Sequence, residues 1–391
     1  MTEWKEYKLG EIAEIITGYP FPGDKYESTG NLRVVRGENV TIGNLRWDTE
    51  KHWNHETEGL EKYFLQSGDI VIGMDGSRVG DNRAKVKQVD LPLILAQRVA
   101  CLRAKKEFSQ GYLWYTIFSD NFKKYVEAIH TGTSIPHISQ KQIEDFEILC
   151  PPLETQHRIA AILSSLDDKI DLLHRENATL EQMAETLFKQ WFVVEAKEEW
   201  EEGKLGDILS VKGGTTPSTK EPSFWDGDIA WTSPRDVTTL NGLCLFETEK
   251  RITQKGLEQI SSGLLPSGTL LMSSRAPVGV LAFAEIPLAI NQGYIAILDD
   301  KGYSKEFIYL WLKTNMDLVH SYSNGSTFME ISKSAFKSLD ISIPSKNEVE
   351  CFVQEVKPYF EKIRTNEIQI RTLTKTRDGL LPRLMNNEIK L

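Results

Sequence analysis

The stretch "WKEYKLGEI" at residues 4–12 returns as "WEEGKLGDI" at residues 200–208. Both copies place a Trp, the triplet Lys-Leu-Gly, an acidic residue and an Ile at the same spacing. The period of about 195 residues is far longer than the roughly 20–50 residues of a solenoid repeat. The sequence therefore predicts a duplicated domain.

The similarity extends from this motif through the rest of each half. The matching stretches are "LRVVRGENV" and "IAWTSPRDV", "QSGDIVIGMDGSRVG" and "PSGTLLMSSRAPVG", "LAQRVACL" and "INQGYIAIL", "GTSIPHIS" and "GSTFMEIS", and "FEILCPP" and "LDISIPS". They occur in the same order in both halves, so one plan is used twice.

Length and composition are those of a globular protein. The 391 residues, 40% of them hydrophobic and 26% charged, suffice for two or more domains with their own cores. No run approaches the roughly 18 apolar residues of a membrane span, and the acidic N-terminus is unlike a signal peptide. The cytoplasm is therefore the expected compartment. Four scattered cysteines without a CxxC pair are interpreted as buried thiols.

The charge is unevenly distributed. A net charge of −10 is not typical of a protein that neutralises many phosphates. However, residues 151–202 alone carry −7, whereas residues 1–150 and 203–344 carry −3 and −2. The two large segments can each present a local basic face, so the overall charge does not exclude a nucleic-acid partner.

Each copy mixes strand and helix patterns. Short β-rich runs such as "DIVIGM" are bounded by Gly and Pro, whereas residues 110–129 have the apolar spacing of a helix. Ser139 and Ser332 are predicted helix N-caps, and Gln142 completes a capping box in the first copy only. We expect an α/β (α+β) fold in each copy.

A long helix is predicted after each copy, because apolar residues then recur at alternating steps of four and three. The predicted segments are a first domain at 1–152, a helix at 153–197, a second domain at 198–345 and a helix at 346–391. The apolar residues form a seam along each helix. Each seam can pack on its own domain or, as we favour, on the seam of the other helix. The interface residues are Ile159, Leu163, Ile170, Leu173, Asn177, Leu180, Ala184, Leu187, Val356, Tyr359, Ile363, Asn366, Ile370, Leu373, Leu380 and Leu384.

Two asparagines predict the direction and register of this pairing. Asn177 occupies an a-type position and Asn366 a d-type position, and only an antiparallel pair matches a with d. Slipping either helix by a heptad would leave both amides buried without partners. The asparagines should therefore face each other as an antiparallel coiled coil. Pro358 and Pro382 predict that the second helix is kinked or bounded near these positions.

Common catalytic motifs are absent from the sequence. It has no GxxxxGK[ST] loop, GxGxxG, HExxH or GxSxG, and no adenine methyltransferase signature. The two histidines of "HWNH" at 52–55 lack further ligands nearby, which favours a surface loop over a metal site. These absences favour a binding protein over an enzyme, and no metal is expected.

The candidate DNA-binding residues are polar and basic groups in loops of both copies. Arg suits phosphate and the guanine edge, and hydroxyls at a helix entrance suit phosphate. For the arginines, it remains open whether they bind DNA or are merely solvated side chains of turns. For Gly80 and Gly279 we favour a purely geometric role. The candidates are Arg33, Arg36, Asn39, Ser77, Arg78, Asn82, Arg83, Thr133, Ser134 and His137, and Ser233, Arg235, Asp236, Ser274, Arg275, Ser326 and Thr327.

Two diverged domains, each headed by W-x-x-x-K-L-G-[ED]-I and followed by a long helix, resemble the DNA specificity subunit of type I restriction-modification systems. The resemblance covers the whole chain. It implies two target recognition domains that each read half of a bipartite DNA site, and helices that space them and dock two modification subunits. It also implies S-adenosylmethionine in the modification subunits, and ATP and Mg²⁺ in restriction subunits.

Two other classes of function remain open from the sequence. A self-sufficient DNA methyltransferase or nuclease would bind S-adenosylmethionine or cleave DNA by itself. A two-domain scaffold for ligands other than DNA would show no salt-dependent affinity for duplexes. The missing motifs weigh against the first of these, and the resemblance weighs against both.

Overall fold

The computed structural model describes residues 4–130, 136–324 and 329–391. Its contacts divide the chain into two compact units. Unit 1 combines Met1–Lys169 with Leu373–Leu391, and unit 2 comprises Ile170–Thr372. The boundary between the units falls inside both predicted long helices, so each unit holds one predicted domain and a segment of each helix.

Unit 1 begins with the first copy of the repeat. Its elements are β1 (Lys5–Lys8), α1 (Leu9–Ile12), β2 (Ala13–Thr17), β3 (Arg33–Val35), β4 (Ile42–Gly43), β5 (Ile70–Gly73), β6 (Arg83–Lys85), β7 (Leu93–Leu95), β8 (Val99–Ala104), α2 (Gln110–Phe118), α3 (Asp120–Ile129), α4 (Gln140–Glu144), β9 (Glu147–Cys150) and the start of α5 (Leu153–Lys189). Short 3₁₀ turns lie at Gly23–Lys25, Gly37–Asn39, Glu61–Tyr63 and Gln88–Asp90.

The main sheet of unit 1 has the strand order β2-β8-β5-β6-β4. Its strands pair antiparallel except β4 and β6, which are parallel. Successive side chains of β5 point to opposite faces, so Ile70 and Ile72 enter the core with α2 while Val71 enters a second core on the other face. Two further pairs, β3 with β7 and β1 with β9, complete the unit.

The predicted helix at 110–129 is two helices. Ser119 ends α2 and caps α3, because its Oγ accepts a hydrogen bond from the Phe122 N–H (3.5 Å). Serine is a favoured N-cap because its hydroxyl satisfies an amide that has no partner within the helix. The predicted caps are confirmed: Ser139 caps α4 with Gln142 in a capping box.

Unit 2 repeats this plan with one added strand. Its elements are β10 (Glu201–Lys204), α6 (Leu205–Ile208), β11 (Ser210–Lys212), β12 (Trp225–Thr232), α7 (Pro234–Thr238), β13 (Cys244–Leu245), β14 (Lys250–Ile252), α8 (Gln254–Leu257), β15 (Leu270–Ser273), β16 (Leu281–Ala284), β17 (Leu288–Ile290), β18 (Tyr294–Leu298), α9 (Lys305–Thr314), α10 (Met316–Ser321), α11 (Lys333–Lys337), β19 (Asp340–Ile343) and most of α12 (Lys346–Met385). A π-helical turn at Gln190–Val194 follows α5, and a 3₁₀ turn lies at Pro222–Phe224.

The sheets of unit 2 reproduce those of unit 1 strand by strand. The order β11-β18-β15-β16-β13 matches the main sheet of unit 1, and the parallel pair of β12 and β17 matches β3 and β7. Strand β14 extends the smaller sheet on the other side of β12. The predicted duplication is therefore present at the level of topology.

The motif that heads each copy joins the first strand to the last. The N–H of Leu9 donates to the carbonyl of Phe146, and that of Leu205 donates to the carbonyl of Leu339, each at 2.8 Å. A Cβ at Gly10 would lie 3.0 Å from a side chain of α4, so glycine permits this close packing. The motif thus forms the structural frame that the sequence predicts.

Both long helices are continuous in the structure. Helix α5 has 37 residues and α12 has 40. The predicted interruption at Pro358 is wrong: its ring is exposed and the helix passes through it. Pro382 lies in the last turn, so it precedes the end of the helix without breaking it.

The predicted asparagine pair is confirmed in unit 2. The Asn366 Nδ2 donates to Asn177 Oδ1 at 2.9 Å, and also to Glu176 Oε2 at 2.9 Å. Asn366 is fully buried, and Leu173 and Ile370 beside the pair are buried as well. Within unit 2 the helix segments are therefore antiparallel and in the predicted register.

One position on the seam of α12, within unit 1, is occupied by a charged residue, Arg377. Arg377 Nη1 contacts Asp167 Oδ1 at 2.8 Å, and the guanidinium lies 5.5 Å from the Phe118 ring centroid. Asp167 Oδ2 also accepts a hydrogen bond from the hydroxyl of Tyr115 (2.6 Å). A hydrogen-bonded ion pair therefore takes the place of an apolar contact here.

The remaining seam residues divide by burial. Ile159, Leu163, Ile170, Ala184, Val356, Ile363 and Leu384 are buried, whereas Leu180, Leu187, Tyr359, Leu373 and Leu380 are half-buried. The heptad pattern missed Phe188 and Leu381, which are buried beside the predicted positions. The seams therefore pack partly on the domain cores and are not narrow two-helix stripes.

Three of the four cysteines are buried as expected, but Cys351 is exposed on α12. The prediction of four buried thiols is therefore wrong for Cys351, which lies on the solvent side of its helix. In the part of the chain that the structure describes, no helix combines the length and apolar character needed to cross a membrane.

Candidate nucleic-acid interface

Unit 1 contains a cleft of about 490 Å³ formed by loops at the ends of its strands. Four of the predicted DNA-binding residues line it, and three arginines face it. The lining residues are Tyr26, Arg36, Gly37, Glu38, Asp75, Gly76, Ser77, Arg78, Asn82, Ala96, Gln97 and Arg98. We call this the arginine cleft.

Arg36 is held in place by its surroundings. Its Nη2 donates to the carbonyl of Thr49 (2.7 Å), and its Nη1 lies 2.5 Å from Glu38 Oε1. The guanidinium also lies 5.7 Å from the ring centroid of Tyr26, whose pKa is raised by burial. Among the described residues, none accepts a hydrogen bond from the buried Arg36 Nε.

Arg98 is a cleft residue that the sequence did not reveal. Its backbone is left-handed, with φ of 66°, a conformation that costs energy for a residue with a side chain. Its Nη1 contacts Asp75 Oδ2 at 2.8 Å, and 70% of the side chain is exposed. The sequence feature that could have indicated Arg98 is a charged residue directly before an apolar strand, at a position where the second copy has Gly293.

Ser77, Arg78 and Asn82 lie on the turn that closes the cleft. The Arg78 carbonyl accepts hydrogen bonds from the N–H groups of Asp81 (3.0 Å) and Asn82 (3.1 Å), and the Arg78 side chain is exposed. Gly80 has a φ of 91°. Such a backbone favours glycine, so its geometric role, also expected for Gly279 with the same φ, is confirmed.

Two residues predicted to bind DNA are buried in unit 1. Arg83 is 4% exposed, and its Nη1 donates to the carbonyls of Ile117 (2.6 Å) and Ser119 (3.0 Å). Burial lowers its pKa. Asn39 is fully buried, and its Oδ1 accepts a hydrogen bond from the Arg36 N–H (3.0 Å). Both side chains hold the chain's own backbone, which corrects the prediction.

Arg33 also has an internal role. Its Nη2 donates to the carbonyl of Asp90 (2.5 Å), and its guanidinium lies 4.3 Å from the centroid of the Trp47 ring. The side chain is half-buried between these groups. Arg33 therefore fixes the 3₁₀ turn at Gln88–Asp90 and does not line the arginine cleft.

In unit 2, two predicted residues of the α7 turn form hydrogen bonds within the chain, and the third is exposed. Asp236 Oδ2 accepts a hydrogen bond from the Ser233 N–H (2.8 Å), and its Oδ1 accepts one from the Glu249 N–H (2.9 Å). Asp236 and Ser233 thus close the turn. Arg235 is 76% exposed, with its Nε 3.9 Å from Glu249 Oε2. Ser274 is only 3% exposed and is also excluded from a surface role.

Arg275 and Arg78 do not occupy equivalent positions. The Met74 N–H donates to the Arg98 carbonyl (2.9 Å), and the Ser274 N–H donates to the Gly293 carbonyl (2.8 Å). Residue 74 therefore corresponds to residue 274, and Asp75 corresponds to Arg275. Each turn carries a Ser-Arg dipeptide, Ser77-Arg78 in unit 1 and Ser274-Arg275 in unit 2, but the two dipeptides are not equivalent because the unit 2 turn is one residue shorter.

The loop before the last short helix is only partly described. His137 forms a β-bridge with Asp75, as Glu330 does with Arg275. His137 is exposed beside the arginine cleft. The other predicted residues of these loops, Thr133, Ser134, Ser326 and Thr327, lie outside the described residues.

The described ranges, 4–130, 136–324 and 329–391, contain no group of three or more His, Cys, Asp or Glu side chains able to hold a metal ion. Of the two histidines in "HWNH", His52 is buried and His55 packs its ring 4.8 Å from that of Trp53. The site chemistry is that of charged and hydrogen-bonding side chains.

The family model for the type I restriction modification DNA specificity domain matches residues 1–182 and again residues 197–374. The chain belongs to this family. The two matches coincide with the two copies of the repeat, so each copy is one DNA specificity domain.

Individual relatives agree with this assignment to the DNA specificity family. The chain is 36% identical over 185 residues to the type I restriction enzyme MjaIX specificity subunit of Methanocaldococcus jannaschii. The aligned region covers 47% of this chain and 43% of that subunit. It is 25% identical to the HindI specificity subunit of Haemophilus influenzae, with 100% of both chains covered. A crystal structure of the type I restriction-modification system S subunit from M. genitalium has the same fold, with a TM-score of 0.59 and 17% identity. The match covers 98% of this chain and 96% of that chain.

As a member of the DNA specificity family, the chain is a non-catalytic subunit of a type I restriction-modification system. Its role is DNA recognition, and DNA together with other subunits of the system are its partners. The absence of catalytic motifs in the sequence agrees with this role. The arginine cleft is a candidate for a DNA contact in unit 1.

Proposed function

We propose that each unit reads one half of a bipartite, asymmetric DNA site through the loops described above. The observation that carries the proposal is that the two units share strand order and frame hydrogen bonds but differ in the charged side chains of their loops. Such a pattern suits two readers of different base sequences, because base-edge contacts specify sequence while a common frame positions them.

The long helices are the proposed docking surface for two modification subunits. Large apolar side chains are exposed on them, although the opposite faces are buried. These are Leu172 (47% exposed) and Met183 (43%) on α5, and Ile368 (42%) on α12. Exposed apolar side chains grouped on a structured element are typical of protein interfaces.

The chemistry of the complex would reside in the partner subunits. The modification subunits would bind S-adenosylmethionine and methylate adenine, and restriction subunits would use ATP and Mg²⁺. The complex would work in the cytoplasm, where DNA and these cofactors meet. The acidic net charge of this chain fits the division of labour, because the partners can supply many of the phosphate contacts.

The proposed function is tested by sequencing methylated bases in a strain that expresses the chain with its modification subunits. The expected result is one bipartite motif with two unlike halves. A catalytically inactive modification subunit is the control and should abolish the signal. Methylation that depends on this chain but follows a single undivided motif would contradict the proposal.

A second experiment measures binding of the purified complex to duplexes that carry the mapped motif. Affinity should fall steeply with salt, because neutralised phosphates release counterions. Changing either half of the motif should weaken binding, and changing the bases between the halves should not. Equal affinity for scrambled duplexes would argue against sequence recognition.

A further inference from the structure

Four matching loop positions of the two units carry different chemistry. Their equivalence follows from shared contacts. The N–H groups of Arg36 and Ser233 each donate a hydrogen bond to the side chain three residues later. The other three pairs are aligned by the hydrogen bonds of Met74 and Ser274 and by the β-bridges described above. The pairs are Arg36 and Ser233, Asp75 and Arg275, Arg98 and Gly293, and His137 and Glu330.

Each unit pairs one exposed arginine of this set with a carboxylate. In unit 1, Arg98 before β8 contacts Asp75 at 2.8 Å. In unit 2, Arg275 stands where unit 1 has the carboxylate, and its Nε lies 3.1 Å from Glu330 Oε1. The same frame therefore presents a fixed guanidinium from a different strand end in each unit.

A guanidinium held by a carboxylate is well suited to read a guanine. Asp75 engages Nη1 of Arg98, so the edge that can face a base is formed by Nε and Nη2, which carry two parallel N–H groups. Glu330 engages Nε of Arg275, so the corresponding edge in unit 2 is formed by the terminal Nη1 and Nη2. Two parallel donors match the O6 and N7 acceptors of guanine in the major groove. Fixing the side chain beforehand reduces the conformational entropy lost on binding.

The backbone of Arg98 is further evidence that this side chain is functional. With φ of 66°, Arg98 has a left-handed backbone that favours glycine over a residue with a side chain. Strained backbones of this kind concentrate at functional sites. Arg98 also lines the arginine cleft next to Gln97, so its guanidinium is at the open side of the loops.

We infer that Arg98 in unit 1 and Arg275 in unit 2 are specificity-determining residues, each contacting the guanine of a G·C pair in its half-site. Asp75 and Glu330 are positioning residues that hold these guanidinium groups. The inference rests on the proposed function and adds to it the residue and the base that each unit uses.

The test compares methylation motifs of complexes that contain Arg98→Gly, Arg275→Gln or the parent chain. Glycine adopts the left-handed backbone of position 98 without strain, so Arg98→Gly should keep the fold. Each variant should lose discrimination at one G·C pair of one half-site, by roughly 5- to 150-fold, and leave the other half unchanged. Lys106→Gln, an exposed position beyond the other end of β8, and Arg251→Gln, exposed on β14, are controls with the same loss of charge.

Asp75→Asn distinguishes positioning from direct contact. It should weaken discrimination at the same base pair as Arg98→Gly but to a smaller degree, while Arg98 keeps its charge. A parent motif without a G·C pair in one half, or an unchanged motif for Arg98→Gly and Arg275→Gln, would overturn the inference and leave the proposed function intact. Failure to obtain any bipartite motif with the parent chain would instead overturn the proposed function.

Discussion

At the scale of single residues, Asn366 shows how a polar group specifies a helix pairing. It is fully buried and donates to Asn177 and Glu176, and none of the described residues donates a hydrogen bond to its own Oδ1. An apolar pair would stabilise the seam more, but it would not distinguish this register from one shifted by a heptad. The pair thus trades stability for register.

We expect Asn366→Leu to destabilise unit 2 by about 1–3 kcal/mol, because the Asn177 amide then loses its buried partner. Hydrogen exchange of the buried strand β15 reports the stability of this unit. The double variant with Asn177→Leu should regain most of the loss, and Gln369→Ala, an exposed position on the same helix, should change little. A double variant no more stable than the single one would contradict this account.

The sequence predicted some site residues and not others for a physical reason. Asn177 and Asn366 could be paired because a heptad seam fixes which residues face each other. Asn39 and Arg83 have side chains that could bind DNA, yet they form hydrogen bonds with backbone groups of other residues in the chain. Loop sequence does not reveal which way a polar side chain points, and therefore Arg98 was missed.

At the scale of elements, helix α12 tolerates a proline in its interior. Pro358 lacks the N–H that would bond the carbonyl four residues earlier, and its ring is exposed to solvent. Water can satisfy the carbonyl on this side, so packing of the opposite face keeps the helix continuous. The neighbouring Val356 and Phe352 are buried.

Pro358→Ala should stabilise unit 2 by about 1–3 kcal/mol, since alanine restores the missing hydrogen bond and has the higher helix propensity. The measurement is the urea midpoint of β15 hydrogen exchange. Lys357→Ala, the adjacent exposed residue, is the matched control and should stay within about 0.5 kcal/mol. An unchanged or lower midpoint for Pro358→Ala would mean that the proline is required by the packing.

The start of α12 is fixed by a carboxylate. Glu348 pairs with Lys197, accepts a hydrogen bond from the Ser345 N–H (3.0 Å), and accepts another from the Trp200 indole (3.2 Å). Lys197 and Ser345 lower the pKa of Glu348 to about 2, from an ordinary value of 4.5. The folded state therefore favours the ionised carboxylate.

This shift gives a pH dependence with a defined sign. A lowered folded-state pKa stabilises the protein above pH 4.5, and the contribution is lost as the pH falls from 4.5 towards 2. Glu348→Gln should therefore be less stable than the parent at pH 7, with a difference that shrinks below pH 4.5. Glu350→Gln, exposed on the same turn, is the control, and a difference that persisted or grew in acid would contradict the assignment.

Elements were more predictable than side-chain directions. The head motif, the N-caps at Ser139 and Ser332 and the two long helices follow from local patterns that the structure reproduces. The break at Ser119 was not predicted, because apolar spacing continues across it. The parallel pair of β3 and β7 joins residues about 60 apart, and no local pattern specifies such a contact.

At the scale of the whole molecule, both long helices contribute to both compact units. Helix α5 leaves unit 1 after Lys169, and α12 leaves unit 2 after Thr372. We propose that the lengths of these helices set the number of bases between the two half-sites. An α-helix rises 1.5 Å per residue and DNA about 3.4 Å per base pair.

Inserting one heptad after Lys169 and another after Thr372 should lengthen the DNA spacer by about three base pairs, because seven residues add about 10.5 Å. Both half-site sequences should stay the same in the methylation motif. Inserting a heptad in α5 alone should abolish recognition, because the two helices can then not keep both the Asn177–Asn366 pair of unit 2 and the Asp167–Arg377 pair of unit 1. Altered half-site sequences in the matched double insertion would refute the proposed role of the helices.

The core of unit 1 is completed by residues of α12, which follows unit 2 in the sequence, and this affects how the protein is made. Leu381 and Leu384 are buried in the same core as Ile159 and Leu163, although more than 200 residues of sequence separate the two pairs. A ribosome that synthesises the chain from its N-terminus releases Leu381 and Leu384 only after it has made the second DNA specificity domain. The first domain is thus finished after the second, and a premature stop before Leu381 would damage the domain that was begun first.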